Sequence, residues 1–101
     1  MIHPSRGIRR LKVPDDIAVL IRGLHPDLKR RVRAALSDIL NDPAIGKLLR
    51  DELRGLRSCR VGRFRIVYRA ATTTIEIVAV GPRRTIYYET WRRVRKSPPS
   101  P

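Results

Sequence analysis

The pair Gly62-Arg63 limits what this chain can fold into more than any other two residues. It separates two runs, Arg57 to Val61 and Phe64 to Ala70, that alternate with a period of two and are rich in β-branched and aromatic residues. Strand-like runs joined by two turn residues with glycine first read as a β-hairpin. A turn that short fixes the register: Val61 faces Phe64, Arg60 faces Arg65 and Cys59 faces Ile66. Because successive side chains point to opposite faces of a strand, Cys59, Val61, Phe64, Ile66 and Tyr68 form an apolar face. Arg60, Arg65 and Arg69 fall together on the other.

Thr74 to Val80 supplies a third strand after Ala71-Thr72-Thr73, and Pro82 closes it, which predicts an antiparallel meander. Upstream the period is helical. Pro14 stands where a helix starts, with Asp15 and Asp16 in its first turn, Ile17, Leu20, Ile21 and Leu24 at helical spacing, and Gly23 at the stop. His25-Pro26-Asp27 opens a second helix whose stripe is Leu28, Val32, Ala35, Leu36, Ile39 and Leu40, and Asn41-Asp42-Pro43 ends it. So short a link predicts a helical hairpin that packs on the apolar face of the sheet. Ile8 to Val13 reads as a first strand, while Ile86 to Arg95 reads equally as a short strand or a C-terminal helix. The expected class is α+β: an N-terminal strand and a helical hairpin packed on a twisted antiparallel β-sheet, with a short C-terminal strand or helix. At 101 residues there is room for one small domain, taken as residues 1–95, with 96–101 as a flexible Pro/Ser tail.

Charge is the second strong feature. The chain carries 23 Lys and Arg against 9 Asp and Glu, a formal net charge of +14. Residues 1–52 hold 11 basic and 7 acidic groups, whereas residues 53–101 hold 12 and 2. The second half is therefore where a polyanion would bind. Nineteen of the basic residues are arginine, the side chain suited to planar, bidentate contact with phosphate. A hydrophobic fraction of 42% suffices for a core and excludes a wholly disordered basic tail. No apolar run approaches the ~18 residues of a membrane span, and Met1 to Arg10 lacks the apolar stretch of a signal peptide, so a cytoplasmic protein is expected. Cys59 is the single cysteine and reads as a small core residue; with only His3 and His25 beside it, no metal site and no cofactor are expected.

Arginines directly opposite each other on a sheet are unfavourable by up to ~1 kcal/mol. The Arg60 and Arg65 pair thus calls for solvent screening, as on a plain solvated face, or for an anion. Arg83 and Arg84 follow the third strand, and Tyr87 and Tyr88 come next, so guanidiniums and a phenol can converge on one rim. Guanidiniums hold a phosphate and stabilise its developing charge; a tyrosine transfers a proton or stacks on a base.

These same residues carry a family resemblance. Leu24-His25-Pro26-Asp27-Leu28-Lys29 through Asn41-Asp42-Pro43, then Leu53-Arg54-Gly55-Leu56, Arg60-Val61-Gly62-Arg63-Phe64-Arg65-Ile66-Val67-Tyr68 and Ile77-Val78-Ala79-Val80-Gly81-Pro82-Arg83-Arg84 with Ile86-Tyr87 resemble the RelE/ParE superfamily of type II toxins over about residues 8–88. The RelE branch implies cleavage of mRNA in the ribosomal A site without a metal, by a toxin component of a type II toxin-antitoxin system. On that resemblance Arg65 matches the arginine that stabilises the cleaved phosphate, Arg83 the second catalytic arginine and Tyr87 the C-terminal tyrosine. Tyr88 is the substitute if the end of the chain is a turned helix. Arg60 falls where a phosphate-holding lysine is expected, and Arg57, Arg63, Arg69 and Arg84 complete the RNA- and phosphate-binding candidates. Ser58 departs from the pattern, standing where a second such lysine is expected, and puts full nuclease strength in question.

The ParE branch implies instead a poison of DNA gyrase, and a catalytically degenerate RNA-binding protein would also account for the charge. The resemblance further implies a cognate acidic antitoxin that wraps the toxin and forms an oligomer with it, and contacts with mRNA and 16S rRNA on the ribosome. Of the remaining residues, His25 reads as a helix start and Tyr68 as structural. Trp91 with Val94 reads as packing for the C-terminal segment or as a partner contact.

Overall fold

A computed structural model describes residues 9–96. Strand β1 (Arg10–Lys12) leads through Pro14 into helix α1 (Asp15–Arg22), and helix α2 (Pro26–Asn41) follows after Gly23-Leu24-His25. A two-residue strand β2 (Lys47–Leu48) lies between two 3-10 turns, Pro43–Ile45 and Asp51–Leu53. The meander is β3 (Arg57–Val61), β4 (Phe64–Ala70) and β5 (Thr74–Pro82), and helix α3 (Ile86–Lys96) ends the described chain. The sheet order is β1-β5-β4-β3-β2; β1 runs parallel to β5 and the other pairs are antiparallel. The α+β class is as the sequence predicts.

The hairpin has the predicted register, with Val61 opposite Phe64, Arg60 opposite Arg65 and Cys59 opposite Ile66. Gly62 takes φ +59°, while Arg63 does not take a positive φ, the arrangement of a type II′ turn with glycine first. Strand β5 runs two residues past Val80, because Gly81 and Pro82 still pair with Arg65 and Phe64. Pro82 therefore ends the ladder from inside it, at an edge position that needs no N–H donor.

His25 caps α2, its Nδ1 accepting from the Asp27 amide at 3.3 Å. Helices α1 and α2 cover the apolar face. Ile17, Ile21, Val32, Leu36 and Ile39 meet Val61, Ile66, Tyr68, Ile75, Ile77 and Val80, with Cys59 and Phe64 at the margin. Burial pushes the Cys59 thiol up, and Asp38 nearby adds to the shift; both keep it protonated and unreactive. At the end of this face the Tyr68 hydroxyl donates to Pro43 O at 2.6 Å and accepts from Gly46 N at 2.9 Å.

The C-terminal segment, open between strand and helix in the sequence, is helical. Ile86, Thr90 and Val94 recur every four residues; the first two are buried and Val94 packs beside them. Ile86 and Val94 join a second cluster with Leu56, Val67 and Ala79 on the opposite face of the sheet. A register shift at Val67/Tyr68 pairs Val67 with Ala79 but Tyr68 with Ile77, leaving Val78 as the extra residue. The bulge brings both Val78 and Ala79 into this cluster. The meander's second face is thus half roofed by α3 rather than open to solvent. Lys96 is the last helical residue, and the rest of the expected tail, 97–101, lies outside the described residues.

Candidate functional site

The site lies where α3 stops covering the second face. Ser58 of β3 is 2% exposed, and its Oγ accepts two hydrogen bonds, from Arg65 Nη1 at 3.1 Å and from Tyr87 Oη at 3.3 Å. Three elements thereby meet at one hydroxyl. Strand parity brings Ser58 and Arg65 to the same face, and the first turn of α3 swings Tyr87 over them. Arg65 is half-buried and its Nε has no hydrogen-bond partner. This leaves an unmet N–H donor on a half-buried guanidinium.

Around this cluster the hairpin tip gathers more guanidiniums. Arg60, directly opposite Arg65, is exposed and donates Nε to Gly62 O at 3.3 Å. The Arg83 amide donates to Arg63 O at 2.8 Å, which ties the turn after β5 to the tip of the β3–β4 hairpin. Arg63, Arg83 and Arg84 are all exposed. Among the described residues, ion pairs engage Arg30, Arg69 and Arg93 only, so no carboxylate neutralises Arg60, Arg63, Arg65, Arg83 or Arg84. Unpaired guanidiniums at this end of the sheet give it a positive potential of the kind that attracts anions.

The predicted residues do not all join it. Arg57 pairs with Tyr68 and so lies on the helix side, where its Nη1 donates to Gly46 O at 2.7 Å and Ala44 O at 3.4 Å. Arg69 shares the face of Arg65 but sits toward the other end of β4 and pairs with Glu76 at 2.9 Å. No hydrogen bond connects the side chain of Arg83 or Arg84 to the Ser58 cluster among the described residues; Arg83 is tied to the hairpin tip by its backbone amide alone. Tyr87, not Tyr88, reaches Ser58; Tyr88 points outward and is 61% exposed.

Two features of this region are not apparent in the sequence. Arg31 of α2 lies against the hairpin tip, with its Nη2 3.0 Å from where a Gly62 Cβ would stand. Nothing local in the sequence links positions 31 and 62. Ser58, read only as a departure from a lysine pattern, is the hydroxyl that holds Arg65 and Tyr87 together; its parity with Arg60 was the available signal.

Residues 12–87 match the family model described as the ParE toxin of type II toxin-antitoxin systems, parDE. The chain belongs to this toxin family. It lies within the RelE/ParE superfamily, and the solved structures it resembles are RelE toxins. The toxin is 28% identical to a chain of the RelBE2 toxin-antitoxin complex from Mycobacterium tuberculosis, over 78% of its own length and 97% of that chain, with a TM-score of 0.66. A doubly substituted E. coli RelE toxin in the free state gives a TM-score of 0.72 at 16% identity, covering 91% of this chain and 99% of that one. The archaeal RelE-RelB complex from Pyrococcus horikoshii OT3 gives 0.63 at 20% identity, over 74% and 94%. The last two likenesses speak for the fold. No curated protein matches the toxin at a significant level. No helix among its described residues is long and apolar enough to cross a membrane.

Proposed function

We propose that this toxin is a metal-independent endoribonuclease that cuts mRNA in the ribosomal A site and so arrests translation in the cytoplasm. The observation that carries the reading is the Arg65–Ser58–Tyr87 cluster, at an end of the face where no carboxylate pairs with Arg60, Arg63, Arg65, Arg83 or Arg84 among the described residues. RNA brings its own nucleophile, the 2′-hydroxyl beside each phosphate. As its oxygen loses a proton and attacks phosphorus, the bond to the 5′ oxygen breaks and that oxygen takes up a proton. Negative charge grows on the phosphoryl oxygens, and Arg65 and Arg83 supply the fixed positive charge that stabilises it. Tyr87 takes part in the proton transfers, held at the cluster through Ser58. Arg60, Arg63 and Arg84 hold flanking phosphates and 16S rRNA, and Arg31 extends that rim. Arg57 and Arg69, tied elsewhere, contribute at most to the general field.

An acidic antitoxin is the second partner. Relatives are found as RelBE and RelE-RelB complexes. On this chain a mainly apolar cavity of about 280 Å³ opens between α1, the end of β5 and α3, lined by Ile17, Leu20, Val80, Pro82 and Ile86, with Asp16, Glu89 and Arg93 also in its wall.

A second reading, inhibition of DNA gyrase, is favoured by one observation: the matching family model is that of ParE toxins. One experiment separates the two. Purified protein is added to a cell-free translation reaction on a defined message and new RNA 5′ ends are mapped. Cuts within translated codons, absent from naked RNA and lost with Arg65→Ala and Arg83→Ala, are the expected result. Intact message together with loss of supercoiling by purified gyrase would transfer the assignment to the second reading. Intact message and active gyrase would leave an RNA binder.

A further inference from the structure

Helix α3 uses only part of its circumference in the fold. Ile86, Thr90 and Val94 turn to the sheet. Arg93 turns to α1, where its guanidinium meets both carboxylate oxygens of Asp16 at 2.5 and 3.3 Å. A third side carries Tyr88, Trp91, Arg92 and Arg95, at the spacings that make neighbours on a helix surface. Tyr88 is 61% exposed and Trp91 is half-buried. The two ring centroids lie 6.1 Å apart with planes inclined by 31°. The Arg92 guanidinium sits 5.9 Å over the Tyr88 ring, and that of Arg95 sits 4.7 Å over Trp91.

Such a strip offers flat ring faces for stacking beside guanidiniums for a neighbouring negative charge. Rings interleaved with guanidiniums offer stacking and positive charge together, the combination that takes unpaired bases. The carboxylate of α3, Glu89, lies on the side of Arg93, at the cavity against α1, and leaves the aromatic side cationic. The strip is also continuous with the phosphate cluster, since Tyr87 and Trp91 are four residues apart and Tyr87 reaches Ser58. From Tyr87 to Arg95 the helix axis runs about 12 Å, enough for about two extended nucleotides.

We propose that the outer face of α3, formed by Tyr88, Trp91, Arg92 and Arg95, is a stacking platform for unpaired RNA bases next to the phosphate held at Arg65. The choice of RNA as the nucleic acid rests on the ribonuclease reading above. Bases stacked here hold the strand flanking the reacting phosphate in place, while the message has to be single-stranded to reach it.

Trp91 is the single tryptophan, so its emission reports the platform without a label. The full-length protein is titrated with a short 2′-O-methyl oligouridylate, which lacks the nucleophile and stays intact, and with an RNA duplex of equal length. The single strand should quench Trp91 emission saturably, and the duplex, held by charge alone, should not. By labelled-RNA anisotropy, Tyr88→Ala and Trp91→Ala should each weaken single-strand binding roughly fivefold to a hundredfold, and Trp91→Phe should retain it. The slope of log affinity against log salt should stay constant for Tyr88→Ala and fall by about one unit for Arg95→Gln. Exposure of Tyr88 means that its truncation leaves the fold intact, which circular dichroism checks.

Unquenched emission together with wild-type affinity in Tyr88→Ala and Trp91→Ala would overturn the platform. Quenching by an acidic antitoxin peptide but not by RNA would also overturn it and reassign the face to a protein partner. The nuclease reading fails separately: a protein that cuts no message yet binds single strands through Trp91 keeps the platform. One that cuts equally well with Tyr88→Ala and Trp91→Ala keeps the nuclease and loses the platform.

Discussion

The two faces of the sheet bury polar groups in opposite ways. On the α1/α2 face the Tyr68 hydroxyl sits among apolar neighbours with both of its hydrogen-bonding needs met, one as donor to Pro43 O and one as acceptor from Gly46 N. Burial pushes its phenol up, as suits a group that stays neutral and structural. On the α3 face Arg65 sits half-buried with one bond to Ser58, an unmet Nε and another arginine directly opposite. Tyr68 has its polar needs met within the chain. Arg65 keeps a charge and a donor that the described residues do not answer, the contrast on which the proposed phosphate role of Arg65 rests.

The sharpest break of this contrast compares one deletion on each face. Ile39 is fully buried under the hairpin, and Ile39→Ala should cost about 2–5 kcal/mol of unfolding free energy by denaturant titration. Arg65→Ala should leave that titration almost unmoved, since it removes a cation facing Arg60, yet lower the rate of message cleavage by about 10²–10³-fold. A large stability loss in Arg65→Ala would make Arg65 a structural residue and dissolve the distinction.

Smaller changes test the two hydroxyls. Tyr68→Phe strands the Gly46 amide and the Pro43 carbonyl and should cost about 1–3 kcal/mol without altering cleavage beyond the loss of folded protein. Ser58→Ala takes away the shared acceptor of Arg65 and Tyr87, which makes Ser58 a positioning residue. It should reduce single-turnover cleavage by roughly tenfold, with RNA binding kept, while costing at most about 1 kcal/mol of stability. Ser58→Thr, which keeps the acceptor, should recover part of the rate. Gly46 also limits the first face: a Cβ there would stand closer to the Tyr68 ring than real Cβ atoms approach, so Gly46→Ala should destabilise by displacing the phenol.

The same division explains what was legible in the sequence. The core face followed from Gly62-Arg63 and strand parity, because a two-residue turn fixes every pair down the hairpin. The second face was only half legible. Its apolar cluster is assembled from Leu56, Val67, Ala79 and Ile86, one residue from each of four segments, and the bulge at Val78 breaks the alternation that would have shown Ala79 facing it. In α3 the β-prone aromatics Tyr87, Tyr88 and Trp91 speak for a strand. Tertiary packing of Ile86, Thr90 and Val94 decides for a helix. Parity did contain the placement of Arg57, which shares a face with Cys59 and Val61 and so turns away from Arg65. Arg31 was out of reach, since only folding brings α2 to the hairpin tip.

The smallest expected effect lies at the clasp between the two faces, where Asp16 of α1 meets Arg93 of α3. The hydrogen bond from Arg93 holds the Asp16 carboxyl below its ordinary value of 3.8 and outweighs the opposing effect of burial. A carboxylate whose pKa is depressed in the folded state stabilises above its unfolded pKa, and that stabilisation fades as pH falls through the folded value. The pair is well exposed, at 37% and 62% of its side chains, so it is worth about 0.5 kcal/mol and is screened by salt. Thermal melts of the wild type and Asp16→Asn should therefore differ by a few degrees at pH 7 in dilute buffer and converge in molar salt. They should converge again in acid, once the pH has fallen through the depressed folded-state value and the wild-type carboxyl is protonated as well. A difference that survives at low pH would mean that Asp16 acts through packing, and the hold on α3, and with it on Tyr87, would then rest on the Ile86 and Val94 contacts alone.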